Sequence, residues 1–231
     1  MIPMLGTIVN TITILTGSFI GSVFKKGIRE KHQNALFTAM GLAATGLGIN
    51  SVVQNMPKSI YPVLFIVSLA LGSLIGTSLE LDTRFQKLAD RFSFGPLSKG
   101  LSTGILLFCI GTLSILGPIN SALHGDNTYL FTNATLDLVT SMVLASTYGI
   151  GMMLTAPVLF CWQGSIYLLA KLLGPFMTAT MMTELSIVGG FLIASSGLSI
   201  LGIKDCKTMN MLPALIIPVL FCAVAPYLPF F

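Results

Sequence analysis

Two acidic residues lie at the edges of long apolar stretches, where an ionisable side chain often has a function. Asp137 lies just inside one stretch, and Glu184 lies at the start of another. A carboxylate there can bind a cation or a proton, because burying its charge in hydrocarbon is costly. A carboxylate near the first turn of a helix can also have a purely structural role, since it interacts favourably with the helix dipole. The sequence leaves both interpretations open for both residues.

Uncharged polar side chains inside the apolar stretches supply hydrogen-bonding groups for a solute. Asn10, Asn50 and Gln163 carry amides that both donate and accept hydrogen bonds. Such side chains also join helices to one another inside a membrane. We predict that Asp137 binds or couples a cation and that Asn10 and Gln163 bind the solute. Asn50 is placed in a polar vestibule on the outer side of the membrane.

Helix-breaking residues follow Asp137 in the chain. Gly149 and Gly151 precede Pro157, whose ring removes a backbone donor and disfavours a continuous helix. One interpretation is a broken span whose half-helix ends let the backbone approach a solute, as in many transporters. The other is a tight turn that joins two spans.

The composition decides which elements must position these side chains. Of 231 residues only 9% are charged and 54% are hydrophobic, and the mean hydropathy is +0.89. Soluble domains carry about 25% charged residues, so the composition excludes a soluble globular enzyme, and the low charge excludes a disordered chain. An all-α polytopic membrane protein remains.

About 20 apolar residues span a bilayer as a helix. Cutting the chain at polar clusters and Gly/Pro turns gives eight predicted spans, with seven as the alternative if the fifth and sixth are one helix. The predicted spans are residues 3–24, 35–55, 60–79, 101–118, 134–152, 155–173, 185–203 and 210–229.

Basic residues favour eight spans, because cytoplasmic loops are enriched in Lys and Arg. With both termini outside, ten basic residues lie inside and two, Lys58 and Lys171, lie outside; seven spans give nine and three. The whole chain, 1–231, is predicted as one transmembrane domain. Residues 83–99 are predicted as an amphipathic interfacial helix, which either connects spans along the headgroups or docks anionic lipid or a partner.

Small residues recur at helical spacing. Gly17 and Gly21 resemble Gly72 and Gly76 in their local sequence, which indicates either internal helix-pair repeats or a chance likeness in a chain dominated by Gly, Ser, Leu and Ile. Such small-xxx-small faces allow close helix approach, either within the chain or between copies in a homo-oligomer.

Enzyme and nucleic-acid functions are not expected. The sequence has no phosphate-binding Gly-Lys-Ser/Thr motif, no HExxH and no GxSxG, and its two histidines, His32 and His124, fall in predicted loops. We therefore predict no catalytic residue, no metal and no cofactor. The basic residues flank predicted spans instead of forming a basic face, so nucleic acid is not a predicted partner.

Several stretches together resemble the YqgA/YdfK-like family of bacterial inner-membrane proteins. They are 6–10 (GTIVN), 106–117 (LLFCIGTLSILG), 145–151 (ASTYGIG), 163–165 (QGS) and 212–214 (LPA), with Leu136-Asp137 between them. The likeness covers nearly the whole chain. It implies one polytopic domain in a bacterial cytoplasmic membrane. The family is one of unknown function, so the resemblance supplies no substrate.

The sequence thus predicts a small secondary transporter or channel-like protein that moves a small solute or ion. Its predicted partners are membrane lipids, that solute or ion, and further copies of the chain. The alternative is a non-transporting scaffold or regulator that associates through its small-xxx-small faces.

Overall fold

The computed structural model describes residues 3–23, 29–91, 101, 104–105, 107–109 and 112–225. Over these residues it contains helices and turns and no strand, which confirms the all-α fold class. A helix satisfies all its backbone hydrogen bonds within itself, as hydrocarbon requires. The helices are α1 (Leu5–Val23), α2 (Glu30–Asn55), α3 (Leu64–Ser78), α4 (Leu81–Arg91), α5 (Thr112–His124), α6 (Thr128–Tyr148), α7 (Thr155–Leu173), α8 (Ala179–Ile200), α9 (Thr208–Met211) and α10 (Ile216–Val224). Short 3₁₀ helices occur at Met56–Lys58, Ile150–Leu154, Gly174–Phe176 and Leu212–Leu215.

Four helices in the described part of the chain are long and apolar enough to cross a membrane. They are Leu5–Val23, Glu30–Lys58, Ile150–Phe176 and Ala179–Ile200. A fifth span results if Leu64–Ser78 and Leu81–Lys87, which meet at a bend of 46°, form one crossing. Helix α6 is long enough, with 21 residues, but too polar to qualify by composition.

The chain divides into two compact units. Unit 1 comprises Met1–Met40 and Thr83–Gly174, and unit 2 comprises Gly41–Asp82 and Pro175–Phe231. Each unit therefore combines segments from both halves of the sequence. The prediction of one transmembrane domain over residues 1–231 stays a prediction.

In unit 1, α1 and α6 pack closely and run in the same direction. Gly6, near the start of α1, faces Leu130 near the start of α6, and Gly21, near the end of α1, faces Met142. A side chain at Gly21 would collide with the carbonyl oxygen of Met142. The glycine therefore allows the two backbones to touch, as in close helix pairs of membrane proteins.

Helix α7 runs back along α1. Gly164, in the second half of α7, lies against Met4, and Leu159 packs in one apolar cluster with Ile14. Since α6 is parallel to α1, α6 and α7 form an antiparallel hairpin. Gly149 ends α6 with a φ of 86°, a left-handed value that favours glycine.

The segment before α5 runs parallel to α7. Gly104 lies against Met152 and Thr155, and further along the chain Ser114 bonds to Gln163. The described residues among 101–109 are helical, while residues 102–103, 106 and 110–111 of the fourth predicted span lie outside the described part.

Unit 2 is built from antiparallel pairs. Gly41 of α2 faces Leu201 just after α8, while Ser51 donates a hydrogen bond to the Ser186 carbonyl near the start of α8. Gly72 of α3 faces Ala214, and Gly76, one turn later, faces Asn210. Helix α3 therefore runs opposite to the segment from α9 into α10.

These directions favour eight spans over seven. If the fifth and sixth predicted spans were one helix, the second and seventh spans would be parallel and the fourth and sixth antiparallel. Within unit 2, the second and seventh predicted spans correspond to α2 and α8, which are antiparallel. Within unit 1, the described residues of the fourth predicted span run parallel to α7, which corresponds to the sixth. Eight crossings reproduce both relations, and the count itself stays a prediction.

The repeated glycine pairs have the same local use but different partners. Gly17 and Gly21 pack on the parallel helix α6, whereas Gly72 and Gly76 pack on an antiparallel segment, Asn210–Ala214. The likeness in sequence therefore reflects the need for close backbone approach at both places. The internal helix-pair repeat stays a prediction.

Helix α4 covers the described part of the segment predicted as an interfacial helix. Its Phe85 ring packs edge-on against Trp162 of α7, with 5.2 Å between ring centroids, while Arg84 and Lys87 are exposed. Residues 92–99 lie outside the described part. The interfacial location of this segment stays a prediction.

The loop that starts α6 is held by Asp126. One carboxylate oxygen accepts hydrogen bonds from the Thr128 amide at 2.9 Å and the Thr128 hydroxyl at 2.6 Å, and the other accepts one from Asn120 at 3.0 Å. Partial burial would raise the pKa of Asp126, but these hydrogen bonds and the nearby His124 outweigh it and lower the pKa below its ordinary 3.8.

We expect Asp126→Ala to lower stability by about 1 kcal/mol at neutral pH, as loss of a helix-start acceptor commonly does. A lowered pKa means that the charge contribution is complete above pH 3.8 and is lost as the pH falls through the lower folded-state value. Asp126→Asn keeps an acceptor oxygen but does not ionise, so its stability relative to wild type should depend on pH in that range. Thermal unfolding in detergent at pH 7 and pH 3 measures both effects, and equal pH profiles for wild type and Asp126→Asn would contradict the assignment.

Candidate functional site

The Asp137 carboxyl lies in the middle of a helix and inside unit 1. Helix α6 begins at Thr128, six residues before the predicted span, and Asp137 is only 4% exposed. The alternative that Asp137 is an acid of the first helical turn is therefore wrong, because two turns of helix precede it. Among the described residues, Asp137 is the one charged side chain buried in this unit.

Two amides lie beside the Asp137 carboxyl. Asn133, one turn earlier on α6, donates from Nδ2 to Asp137 Oδ2 at 2.9 Å. Asn10 of α1 is fully buried and lies against the same carboxyl. Its Nδ2 meets no acceptor in full hydrogen-bond geometry, and its Oδ1 has only a long contact of 3.4 Å with the Thr13 hydroxyl. Asn10 thus keeps unused hydrogen-bonding capacity next to a buried charge.

Gln163 forms a second buried polar contact in this unit. Its side chain is fully buried on α7, and its Nε2 donates to the Ser114 hydroxyl of α5 at 3.0 Å. Gln163 Oε1 has no hydrogen-bond partner among the described residues. A buried acceptor without a donor is costly, so it marks a place where a ligand or water can bind.

Asn10 and Gln163 lie at the same end of the unit 1 core. Ile14 and Leu159 share the apolar cluster, Asn10 is one turn before Ile14 on α1, and Gln163 is one turn after Leu159 on α7. Because α1 and α7 are antiparallel, both steps lead toward the same end of the unit. Ser114 follows the same direction on α5, so these polar groups form one layer beside the apolar cluster.

Unpaired buried polar atoms are concentrated in unit 1. Buried side-chain atoms without a partner in the described part of the chain are Thr7 Oγ1, Asn10 Nδ2, Ser18 Oγ, Trp162 Nε1 and Gln163 Oε1 in unit 1, and Ser68 Oγ in unit 2. Native proteins leave few such atoms, and functional sites are a common reason for exceptions.

Glu184 has a different environment from the one predicted. Helix α8 begins at Ala179, with the Thr178 side chain capping it, so Glu184 lies in the second turn and is 1% exposed. Its Oε1 accepts hydrogen bonds from the Ser59 hydroxyl at 2.6 Å and the Tyr61 amide at 3.3 Å. Glu184 therefore holds the connection into α3 within unit 2 and belongs to a different unit from Asp137.

The other predicted site residues are not joined to Asp137 in the described structure. Asn50 is exposed on α2 in unit 2 and accepts a hydrogen bond from Gln54. Gly149 and Gly151 form the turn and 3₁₀ segment between α6 and α7, which favours the turn interpretation over half-helix ends.

Sequence reasoning missed Asn133, Ser114 and the buried thiol of Cys109, which lies close enough to interact electrostatically with Asp137. Asn133 could have been found, because residues four apart on a helix are neighbours. Ser114 and Cys109 lie on other elements, and their spacing in the sequence gives no such signal.

Residues 5–223 match the model of the family described as "Protein of unknown function (DUF554)". The chain belongs to the DUF554 family. This confirms the family resemblance seen in the sequence, and the family description itself assigns no activity.

Two curated proteins are similar to this DUF554 chain. "Uncharacterized membrane protein YdfK" of Bacillus subtilis (strain 168) is 58% identical over 215 residues, covering 93% of this chain and 94% of the relative. "Uncharacterized protein YqgA" of Escherichia coli (strain K12) is 30% identical over 227 residues, with the same coverage of 93% and 94%. No solved structure matches the chain. The DUF554 chain is thus a membrane protein with several apolar helices.

Proposed function

We propose that this protein is a small secondary transporter or channel-like protein of the bacterial cytoplasmic membrane that moves a small solute or ion. The observation that carries the proposal is the buried carboxyl of Asp137 on α6. The amide of Asn133 on the same helix and the amide of Asn10 on α1 lie beside it. Ionisable side chains are rare inside membrane domains and usually mark ion or substrate paths.

The layer of unpaired polar groups supports the same function. Asn10 and Gln163 are fully buried and retain unused hydrogen-bonding atoms, as a solute pathway needs. The proposal includes membrane lipids and self-association as interactions, and it includes no nucleic acid, no cofactor and no enzymatic reaction. Both curated relatives come from bacteria, and one is named as a membrane protein, which supports the proposed location.

The scaffold alternative has less support. It depends on small-xxx-small faces that are free to meet another copy, but Gly17 and Gly21 are buried against α6, and Gly72 and Gly76 against Asn210–Ala214. Self-association therefore needs another surface.

Flux measurements test the proposal directly. Purified protein is reconstituted into proteoliposomes, and uptake of a panel of ions and small metabolites is compared with empty vesicles, with and without an imposed ion gradient. We expect saturable uptake of at least one solute or ion above the empty-vesicle rate. A panel in which the protein makes no difference would contradict a transport function.

A further inference from the structure

We propose that Asp137 binds one monovalent cation, a proton or an alkali metal ion, in a site whose total charge is zero when it is occupied. The inference deepens the proposed function and rests on it for the membrane setting, because it names the class of ion at the transporter's buried acid. It follows from the number of buried charges in unit 1 and from the neutral groups around the carboxyl.

The charge balance selects the valence of the ion. Asp137 is the one charged side chain buried among the described residues of unit 1, and no described Lys, Arg or His forms an ion pair with it. One positive charge neutralises one carboxylate. A divalent cation would leave a net positive charge in a low-dielectric interior, where uncompensated charge is strongly disfavoured.

The neighbouring amide can serve both the empty and the occupied state. The Asn10 side chain lies against the carboxyl, and it has an Nδ2 without an acceptor and an Oδ1 with only a long contact to the Thr13 hydroxyl. In the empty site the amide can donate to the carboxylate. With an alkali ion bound, rotation about the terminal bond presents Oδ1, an oxygen ligand of the kind hard cations prefer.

The titratable surroundings of Asp137 are few. The segment 101–109 contributes the Cys109 thiol, on which the Asp137 charge acts, while α1 presents Asn10 and α6 presents Asn133, which do not titrate. Cys109→Ala therefore removes the other ionisable group in the described surroundings. A proton effect that survives in Cys109→Ala and is lost in Asp137→Asn belongs to Asp137.

Thermal unfolding of the full chain in detergent tests the proposal. The midpoint is measured with LiCl, NaCl and KCl against choline chloride at constant ionic strength, with MgCl2 and CaCl2, and separately from pH 5 to pH 9. An ion that binds only the native state raises the midpoint, by roughly 5–10 °C at about 100 times its Kd. We expect such a rise with one alkali ion, or with falling pH if the ion is a proton, in wild type and Cys109→Ala but not in Asp137→Asn.

A change of valence provides the sharper comparison. Asn10→Asp places a second carboxylate beside the first, so that a divalent cation balances the charge, and we expect Mg²⁺ or Ca²⁺ to stabilise this variant where it does not stabilise wild type. The matched control is Asn50→Asp, an identical change at an exposed position of α2. The wild-type comparison of monovalent and divalent ions decides the question even where Asn10→Asp does not fold.

Three results would contradict the monovalent cation site at Asp137. A flat response to monovalent ions and pH, a larger shift with a divalent ion in wild type, or an equal shift in Asp137→Asn overturns the inference. Binding measured at equilibrium is independent of flux. Saturable binding without flux in proteoliposomes would contradict transport and leave the cation site standing, whereas flux without Asp137-dependent binding would do the reverse.

Discussion

Gly21→Ala is expected to lower the thermal unfolding midpoint by about 2–12 °C. The added Cβ meets the backbone of Met142, with the Cα of that residue only 2.9 Å away. Overpacking of this kind commonly costs about 1–3 kcal/mol, and each kcal/mol shifts the midpoint of a chain this size by about 2–4 °C. Gly76→Ala should behave alike in unit 2, where the Cβ meets Asn210. Differential scanning fluorimetry in detergent measures both midpoints.

Gly46→Ala is the matched control. Gly46 lies inside α2, is exposed, and has nothing within 4 Å of an added Cβ. Alanine is the better helix former by about 1 kcal/mol, so this variant should melt at or above the wild-type temperature. Equal midpoints for Gly21→Ala and Gly46→Ala would mean that the backbones of α1 and α6 are not in contact.

The packing of Gly17 against α6 affects the interpretation of self-association experiments on this residue. Gly17 faces the Leu138 carbonyl and the Ser141 hydroxyl within its own unit. A bulky residue at Gly17 therefore disturbs folding before it disturbs contact between copies. Loss of oligomers in Gly17→Leu would say little about a homo-oligomer interface without a stability measurement beside it.

The second large effect concerns the two buried acids, Asp137 and Glu184. We expect substitution of Asp137 to affect flux and substitution of Glu184 to affect stability. Asp137→Asn should reduce flux roughly 1,000-fold while the unfolding midpoint stays near wild type. The new amide oxygen can still accept from Asn133, but the charge that attracts a cation is gone. At an effective dielectric constant of 20, two unit charges 4 Å apart attract by about 4 kcal/mol, and each 1.4 kcal/mol is tenfold in affinity.

Glu184→Ala should give the opposite pattern. It removes the acceptor of the 2.6 Å hydrogen bond from the half-buried Ser59 hydroxyl, and leaving such a donor without its acceptor costs about 1 kcal/mol or more. Flux per folded molecule should then stay within a few-fold of wild type. Proteoliposome flux normalised to folded protein distinguishes the two acids, and equal flux losses in the two variants would contradict separate roles.

The sequence alone determined the membrane class and the helical fold, and it marked Asp137 as a candidate site residue. Hydropathy and charge are sums over neighbouring residues, so they are present in the sequence before any folding. Helices occupy most of the described residues of the predicted spans, but some ends shifted, because α6 continues through polar residues to Thr128 and α8 to Ala179. Helices extend to their capping groups, and hydropathy measures only the apolar part.

Only the tertiary structure decided which of these residues meet. In unit 1, Asn10 lies against Asp137 and Gln163 contacts Ser114. In unit 2, Glu184 accepts a hydrogen bond from Ser59. These partners lie on different helices, and residues far apart in the chain come together only through the directions in which the helices pack. The helices approach closely at Gly17, Gly21, Gly72 and Gly76. The spacing of these glycines in the sequence predicted that they lie on contact faces, but it did not indicate which helix each face contacts.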